Sequence, residues 1–292
     1  MSAVGLFGTT DRAAEAELTL GAGEFKILAD MLHAHSGILL ADSKRSLMAG
    51  RLTKHVRTLG LPGFGAYIDL VSRDAAERRR MIEALTTNHT SFFRENHHFD
   101  HLTSTVLPAL LAAAKGGRRV RIWSAGCSSG EEPYTIAMCL VAAARKISMI
   151  DWLPSADVAI LATDLSTPIL DAARRGRYAA AAVQTIPPAF HSSFKRLGAE
   201  IEMGPALKRL IAFKRLNLLD EWPMQGQFDV IFCRNVMIYF DEPTKERLCM
   251  RFADALSPEG QLYIGHSERV CGPAAESLQL VGQTAYRRPL QS

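Results

Sequence analysis

The 292-residue sequence lacks several features that would assign it to a class at once. No apolar run approaches the roughly 20 residues that a membrane-spanning helix needs. The first residues show no basic stretch followed by an apolar segment, so we predict no secretory signal. The five cysteines form no Cys-x-x-Cys pair, and such a set is typical of a protein of the reducing cytoplasm. A formal net charge of only +4 does not by itself indicate a nucleic-acid-binding protein.

The remaining composition is that of a globular protein, with 48% hydrophobic and 22% charged residues. Residues 1–20 show no periodicity, and we predict a loose N-terminal extension there. Helical spacing of apolar residues predicts a small all-α domain over residues 21–88. Residues 89–117 are predicted to form a linker and a connecting helix, broken or bent near Pro108.

From residue 118 to residue 292 the pattern changes to an alternation of strands and helices. Such an alternation predicts an α/β fold with a mostly parallel sheet and helices on both faces. A hairpin is expected over residues 278–286, and short strand-like pieces predict a small β insertion at about 196–216. The predicted strands cover residues 119–123, 158–163, 228–233 and 260–265, and the predicted helices cover 130–146, 167–175 and 243–256.

The stretch from Arg121 to Tyr134 reads as a strand, a tight turn and the start of a helix. Gly126 is one of two glycines that leave room for a ligand against the helix. Glu131 and Glu132 would repel a pyrophosphate but attract a cation, which favours S-adenosylmethionine over NAD or ATP. The alternative is that both glutamates only stabilise the N-terminus of the helix.

Two further polar residues follow the same logic. Asp164 closes the second predicted strand, where a carboxylate can accept the hydroxyls of a ribose; the alternative is an N-cap for the next helix. Asn217 precedes the strand over 228–233 and would suit an adenine edge, although a turn residue is the more common role of an isolated asparagine.

Five motifs in order resemble the chemotaxis receptor methyltransferases, the CheR family, over about residues 20–288. The resemblance implies transfer of a methyl group from S-adenosylmethionine to glutamate side chains of membrane chemoreceptors. The motifs are Asn88-His89-Thr90-Ser91-Phe92-Phe93-Arg94-Glu95, Trp123-Ser124-Ala125-Gly126-Cys127-Ser128-Ser129-Gly130-Glu131-Glu132-Pro133-Tyr134, Ala162-Thr163-Asp164, Phe232-Cys233-Arg234-Asn235-Val236-Met237-Ile238-Tyr239-Phe240 and Gly265-His266-Ser267-Glu268.

The resemblance also implies a role for particular residues. Arg94 and Tyr239 are the implied catalytic residues, beside the methyl group and the incoming carboxylate. The alternatives are that Arg94 pairs with Glu95 or caps a helix and that Tyr239 is a packed aromatic. The implied residues around the cofactor are Asn88, Thr90, Arg94, Gly126, Glu132, Asp164, Asn217, Leu218, Asn235 and Val236.

A basic stretch without acids runs from Lys44 to Arg57. On a helix Arg51, Lys54 and Arg57 lie near one another, and a solvated face is the usual reading of such a run. The resemblance favours a docking surface for the acidic methylation helices of a receptor. In some relatives the β insertion binds a peptide at the receptor's C-terminus, which makes that peptide a second candidate partner. We expect a cytoplasmic monomer, recruited to receptor arrays at the inner membrane without insertion.

The sequence also allows other functional interpretations, among them a metal site, a nucleic-acid methyltransferase and a non-catalytic adaptor. His97 and His101 are spaced like metal ligands, but His98 stands where a zinc protease has glutamate, and no third ligand is evident, so we expect no metal. A nucleic-acid methyltransferase would share the sheet and the cofactor, but Arg234-Asn235-Val236-Met237 replaces its usual acidic or amide residue followed by prolines and an aromatic. A non-catalytic adaptor that only binds the cofactor stays open. Cys127 is expected to line the pocket rather than act as a nucleophile.

Overall fold

The computed structural model describes residues 18–290, and these fall into two compact units. The first unit comprises residues up to 31 together with 41–85, and the second comprises 32–40 together with the chain from Thr86 onward. Most of the predicted N-terminal extension, residues 1–17, lies outside the described residues.

The first unit is all helical, as the sequence predicts. Each helix turns an apolar stripe inward, and Leu28, Leu52 and Tyr67 are fully buried. Asp74 caps the fourth helix by accepting the N–H groups of Ala76 and Glu77. The helices are α1 (Ala22–Ser36, whose last turn belongs to the second unit), α2 (Arg45–Thr58), α3 (Phe64–Arg73) and α4 (Ala75–Leu85).

The second unit begins with a helical segment that crosses a proline. It runs through α5 (His97–His101), a π-helical stretch (Leu102–Val106) and α6 (Leu107–Lys115). Pro108 has no N–H and its ring crowds the preceding turn, which explains why the turn before it is widened to a π-helix. The predicted bend stays a prediction.

A seven-stranded sheet forms the centre of the second unit, in the order β6-β2-β1-β7-β8-β10-β9. The first five strands in this order are parallel, and the two C-terminal strands form the predicted antiparallel hairpin at the edge. The strands are β1 (Val120–Ala125), β2 (Val158–Asp164), β6 (Ile211–Arg215), β7 (Phe228–Cys233), β8 (Leu256–Ile264), β9 (Gln279–Gly282) and β10 (Ala285–Arg287).

Helices connect the parallel strands, because a parallel pair needs a long crossover. α7 is largely buried, as expected of a helix that packs between the sheet and other elements. The connecting helices are α7 (Glu131–Lys146), α8 (Thr167–Arg175), α9 (Pro205–Lys208) and α10 (Glu242–Ala255), and a short helix α11 (Ala274–Ser277) precedes the antiparallel hairpin.

The β insertion differs from its predicted bounds of about 196–216. A separate antiparallel sheet contains β3 (Arg177–Ala179), β4 (Phe194–Leu197) and β5 (Glu200–Met203), in the order β3-β5-β4. It therefore starts about twenty residues earlier than predicted. The strand-like piece at Leu210–Phe213 instead belongs to β6, which pairs with β2 in the main sheet because its apolar residues fit that parallel edge.

Candidate active site

The candidate site lies at the carboxyl ends of four neighbouring parallel strands of the main sheet, and "this edge" below means this end of the strands. The chain leaves β1 and β7 in opposite directions along the sheet, which is the switch point where α/β folds open a crevice. Turns at Gly126–Gly130, Asp164–Ser166, Arg234–Ile238 and Gly265–Glu268 follow β1, β2, β7 and β8.

The first turn is shaped by glycine and by contact with its neighbour. Gly126 has φ +78°, a left-handed conformation that glycine adopts without strain. A Cβ built there would lie 2.5 Å from Cγ2 of Val236, so the turns after β1 and β7 are in direct contact. The predicted residues Gly126 and Val236 are therefore brought together.

Gly126→Ala is expected to weaken both folding and cofactor binding. The new methyl group meets Val236 and the backbone must leave its left-handed conformation, a combination that costs about 1–3 kcal/mol. Urea denaturation and calorimetry with S-adenosylhomocysteine measure the two effects. Gly117→Ala is the matched control, since Gly117 also has positive φ but open space around it. Equal losses in the two variants would contradict the close approach.

Asp164 holds the first turn in place. Its carboxylate accepts the N–H of Ser128 at 2.8 Å and the N–H of Ser166 at 3.0 Å. Ser128 in turn donates its hydroxyl to the carbonyl of Asn88, which brings the segment 88–96 to this edge. Asp164 is 8% exposed. Its carboxylate thus organises the turn after β1.

Glu132 lies at the start of α7 and contacts Arg234, a residue that we did not single out from the sequence. Its carboxylate accepts from Ser124 Oγ at 2.7 Å and from Arg234 Nη1 at 3.2 Å. Burial raises the pKa of Glu132, while Arg234 and Ser124 oppose this rise. The position of Arg234 directly after the buried strand β7, inside a recognised motif, was the only signal available in the sequence.

Arg234 is buried and joins the two acidic residues of this edge. Its guanidinium lies 3.3 Å from the carboxylate of Glu95 and also donates to the carbonyl of Arg94. Burial alone would raise the pKa of Glu95, but hydrogen bonding from His266 and the charge of Arg234 outweigh it and lower this pKa to about 2. Two carboxylates, of Glu95 and Glu132, therefore face one guanidinium.

The predicted pairing of Arg94 with Glu95, one of the alternatives, is not what the structure shows. Arg94 donates Nη1 to the carbonyl of His89 at 3.0 Å, and its side chain is half-buried. Glu95 turns instead to Arg234 and His266, and it accepts from Asn235 Nδ2 at 3.3 Å. These bonds connect the segment that carries Arg94 to the turn after β7.

Tyr239 lies in a short 3₁₀ turn, Met237–Tyr239, that overlaps the end of the turn after β7. The ring is half-buried against the apolar cluster beneath α10, so the packed-aromatic alternative describes part of its environment. Its carbonyl accepts the N–H of Leu39 at 2.8 Å and its N–H donates to Val236, which fixes the backbone of this residue.

The other predicted cofactor residues differ in how they are held. Asn217 behaves as a turn residue, since its amide donates to His35 and Asp220 and its Oδ1 accepts from Leu219. Leu218 is buried beside it, and Thr90 is half-buried near Asn88. A role of Asn217 beside an adenine stays a prediction.

Two further interpretations of the sequence concern Cys127 as a nucleophile and a metal site. Burial, together with the charges of Asp164 and Glu132, raises the pKa of the Cys127 thiol well above its usual range, so the thiol stays neutral and is a poor nucleophile. Within residues 18–290, no group of three or more His, Cys, Asp and Glu side chains could hold a metal ion. His98 and His101 are instead hydrogen-bonded to Thr284 and Tyr263.

The residues of this edge fit S-adenosylmethionine. The two carboxylates exceed the single guanidinium by one negative charge, which suits a ligand that carries an amino group and a positive sulfur. The turn at Gly126 brings backbone without a side chain to this edge, and the carboxylate of Asp164 is bonded to the same turn.

Comparison with known proteins agrees with this geometry. Residues 88–287 match the family profile described as "CheR methyltransferase, SAM binding domain", and residues 23–86 match "CheR methyltransferase, all-alpha domain". A probable chemotaxis protein methyltransferase of Rhizobium etli is 48% identical over 88% of this chain and 96% of its own. Chemotaxis protein methyltransferase 2 of Pseudomonas aeruginosa is 40% identical (90% and 92% covered), and the chemotaxis protein methyltransferase of Salmonella typhimurium is 36% identical (92% and 91%).

Fold and site together define an S-adenosylmethionine-dependent methyltransferase preceded by an all-α domain. The chain belongs to the CheR family of chemotaxis protein methyltransferases. Across residues 18–290, none of the helices combines the length and the apolar character needed to cross a bilayer.

Proposed function

We propose that this enzyme methylates glutamate side chains of membrane chemoreceptors, giving glutamyl methyl esters and S-adenosylhomocysteine, as an adaptation step in chemotaxis or a related sensory pathway. The observation that supports it most is the link between Arg94 and the acidic edge of the sheet. Arg234 binds both the carbonyl of Arg94 and the carboxylate of Glu132. A site for a cationic donor and a guanidinium for an incoming carboxylate are thus tied together.

Methyl transfer to a carboxylate requires little general acid or base catalysis. S-adenosylmethionine, when bound, supplies a methyl group on positively charged sulfur. A glutamate side chain has a pKa of about 4.3 and is already an anion at neutral pH, so no general base is needed. The protein contributes mainly alignment and exclusion of water, and such positioning can supply about 7–11 kcal/mol at best.

In this proposal each predicted residue has a defined task. Glu132 faces the amino group of the cofactor and Asp164 its ribose, while Asn217, Leu218, Asn235 and Val236 border the adenine and methionine parts. Asn88 and Thr90 border the reacting centre from the segment that Ser128 anchors. Arg94 orients the substrate carboxylate and Tyr239 lies beside it. A guiding contact suffices for Arg94, because a tight ion pair would reduce the nucleophilicity of that carboxylate.

Receptor membranes and tritiated S-adenosylmethionine test the proposed reaction. We expect label on receptor protein that mild alkali releases as methanol, since esters hydrolyse and methylated amines do not. Alkali-stable label in added nucleic acid would instead support a nucleic-acid methyltransferase. Cofactor binding without transfer to any receptor would support a non-catalytic adaptor. Either of these outcomes would contradict the proposal.

We propose that the basic face of α2 is the docking surface for the acidic methylation helices of a receptor. Lys54 and Arg57 are exposed, whereas Arg51 is half-buried and donates Nη1 to the carbonyl of Leu85 at 2.7 Å. The guanidinium of Arg51 therefore helps to hold α2 against the end of α4. Lys54 and Arg57 are the residues on which docking should depend most.

The double variant Lys54→Glu/Arg57→Glu is expected to raise the KM for receptor about tenfold and leave kcat unchanged, because rim charges govern encounter more than chemistry. The effect should shrink as salt is added. Steady-state kinetics with receptor fragments at two ionic strengths measures it. The control is Arg73→Glu/Arg79→Glu, the same charge change at exposed residues of the same unit. A similar rise in KM in the control would show that net charge, not this face, is responsible.

The small sheet β3-β5-β4 is the proposed site for a receptor C-terminal peptide, since β4 and β3 are its edges and an edge strand can pair with an extended peptide. We further propose that the enzyme is a cytoplasmic monomer that reaches receptor arrays at the inner membrane through these contacts.

A further inference from the structure

The turn Gly265–Glu268, which follows β8, carries the last of the five motifs. Glu268 is 5% exposed, and its carboxylate is surrounded by backbone N–H groups. Oε2 accepts from Gly265 at 2.6 Å and from Asn235 at 2.9 Å. Oε1 accepts from Val236 at 3.0 Å and from Ile238 at 3.1 Å.

Three of these four donors belong to the turn after β7. Asn235 has φ +59°, a conformation uncommon for a residue with a side chain. This backbone conformation directs the N–H groups of Asn235, Val236 and Ile238 toward the carboxylate of Glu268. Buried N–H groups without an acceptor are strongly disfavoured, so this conformation depends on a carboxylate at that point. Tyr239 follows directly in the chain, with its N–H bonded to Val236.

The same motif also contacts the segment that carries Arg94. His266 Nδ1 lies 2.8 Å from Oε1 of Glu95, and that oxygen also accepts from Asn235 Nδ2. Glu95 has φ +54°, so its backbone is also in an uncommon conformation. The turn after β8 therefore contacts the turn before Tyr239 through Glu268 and the residue after Arg94 through His266.

We propose that Glu268 is a positioning residue that fixes the turn 235–238 and thereby the placement of Tyr239 relative to the substrate carboxylate. The inference rests on the proposed function, because it takes Tyr239 to act beside that carboxylate. Glutamine cannot replace Glu268, since it has one acceptor oxygen and its NH₂ group would face N–H donors. Aspartate keeps both oxygens on a shorter side chain and should restore part of the effect.

Glu268→Gln is expected to lower kcat for receptor methylation about 10- to 100-fold, as misplacement by about 1 Å does, with the receptor KM within about twofold of wild type. Glu268→Asp should lie between the two. The control is Glu276→Gln, the same change at an exposed residue of α11. Wild-type kcat in Glu268→Gln, or the same loss in Glu276→Gln, would overturn the proposal.

Amide hydrogen exchange provides a readout that needs no activity. In Glu268→Gln the peptide covering residues 233–241 should exchange at least about tenfold faster, while peptides from α2 and α7 keep wild-type rates. Unchanged exchange at 233–241 would overturn the positioning role. Failure of the wild type to methylate receptor glutamates would contradict the proposed function alone, because exchange would still test Glu268. A Glu268→Gln protein too unstable to study leaves Glu268→Asp for the same two measurements, with faster exchange and lower kcat expected.

Discussion

Arg94→Ala is expected to reduce receptor methylation at least about 100-fold, because a charge-assisted contact to the substrate carboxylate and its orientation are lost together. The side chain is half-buried and, among residues 18–290, its one hydrogen bond goes to the carbonyl of His89. Removing it should therefore leave the fold intact. Initial rates with a receptor fragment and calorimetry with S-adenosylhomocysteine measure the two properties separately.

Arg94→Lys separates the charge from the geometry of the guanidinium. Lysine keeps the positive charge but loses the planar fork that matches a carboxylate, so we expect an intermediate rate. Arg175→Ala is the control, since Arg175 is an exposed arginine of α8 in the same unit. Arg94→Ala with more than half of the wild-type rate would contradict the guiding role of this residue.

Arg234→Met should have the largest effect on stability, about 3–5 kcal/mol in the free energy of unfolding at pH 7. It leaves the buried carboxylates of Glu95 and Glu132 without their shared partner, and breaking a buried ion pair on one side costs this much. Cofactor affinity should fall with it. Urea denaturation of wild type and variant measures the loss. The exposed Arg175→Met is the control.

The pH dependence of this loss has a defined sign. The pKa of Glu95 is lowered to about 2 in the folded protein, so its contribution to stability is present above the unfolded pKa of about 4.5 and is lost as the pH falls toward 2. Without Arg234 the buried carboxylates take up protons more readily, so the deficit of Arg234→Met should narrow between pH 7 and pH 4.5. Adding Glu132→Gln should recover part of the deficit at pH 7. A deficit that is constant with pH would contradict an electrostatic origin.

The sequence predicted the parts of the fold that depend on periodicity. The alternation from β1 onward, the all-α unit and the terminal hairpin were predicted and are confirmed, because apolar spacing follows from which faces are buried. The β insertion was misplaced. β3 has only three residues, two of them exposed, so its alternation of apolar and polar residues is too short to predict a strand. β6 was assigned to the wrong sheet, since pairing depends on contacts distant in the chain.

The site was predictable in its motifs but not in its internal bonds. Gly126 and Val236 belong to different motifs, and only the structure shows that the turns carrying them are in direct contact. Arg234 belongs to a motif, but its role is not predictable, because a sequence does not reveal that Glu95 and Glu132, 37 residues apart in the chain, share one buried guanidinium. The four N–H donors of Glu268 come from two different turns and could not be assigned from spacing.

The most direct test of the central claim is the mass of a receptor cytoplasmic fragment after incubation with this enzyme and S-adenosylmethionine. The account predicts increments of about 14 Da, one per methyl group replacing a proton, located on glutamate residues by peptide fragmentation and removed by mild base. The Arg94→Ala enzyme should produce none in the same time. Increments that survive base, or that map to lysine, arginine or histidine, would contradict it.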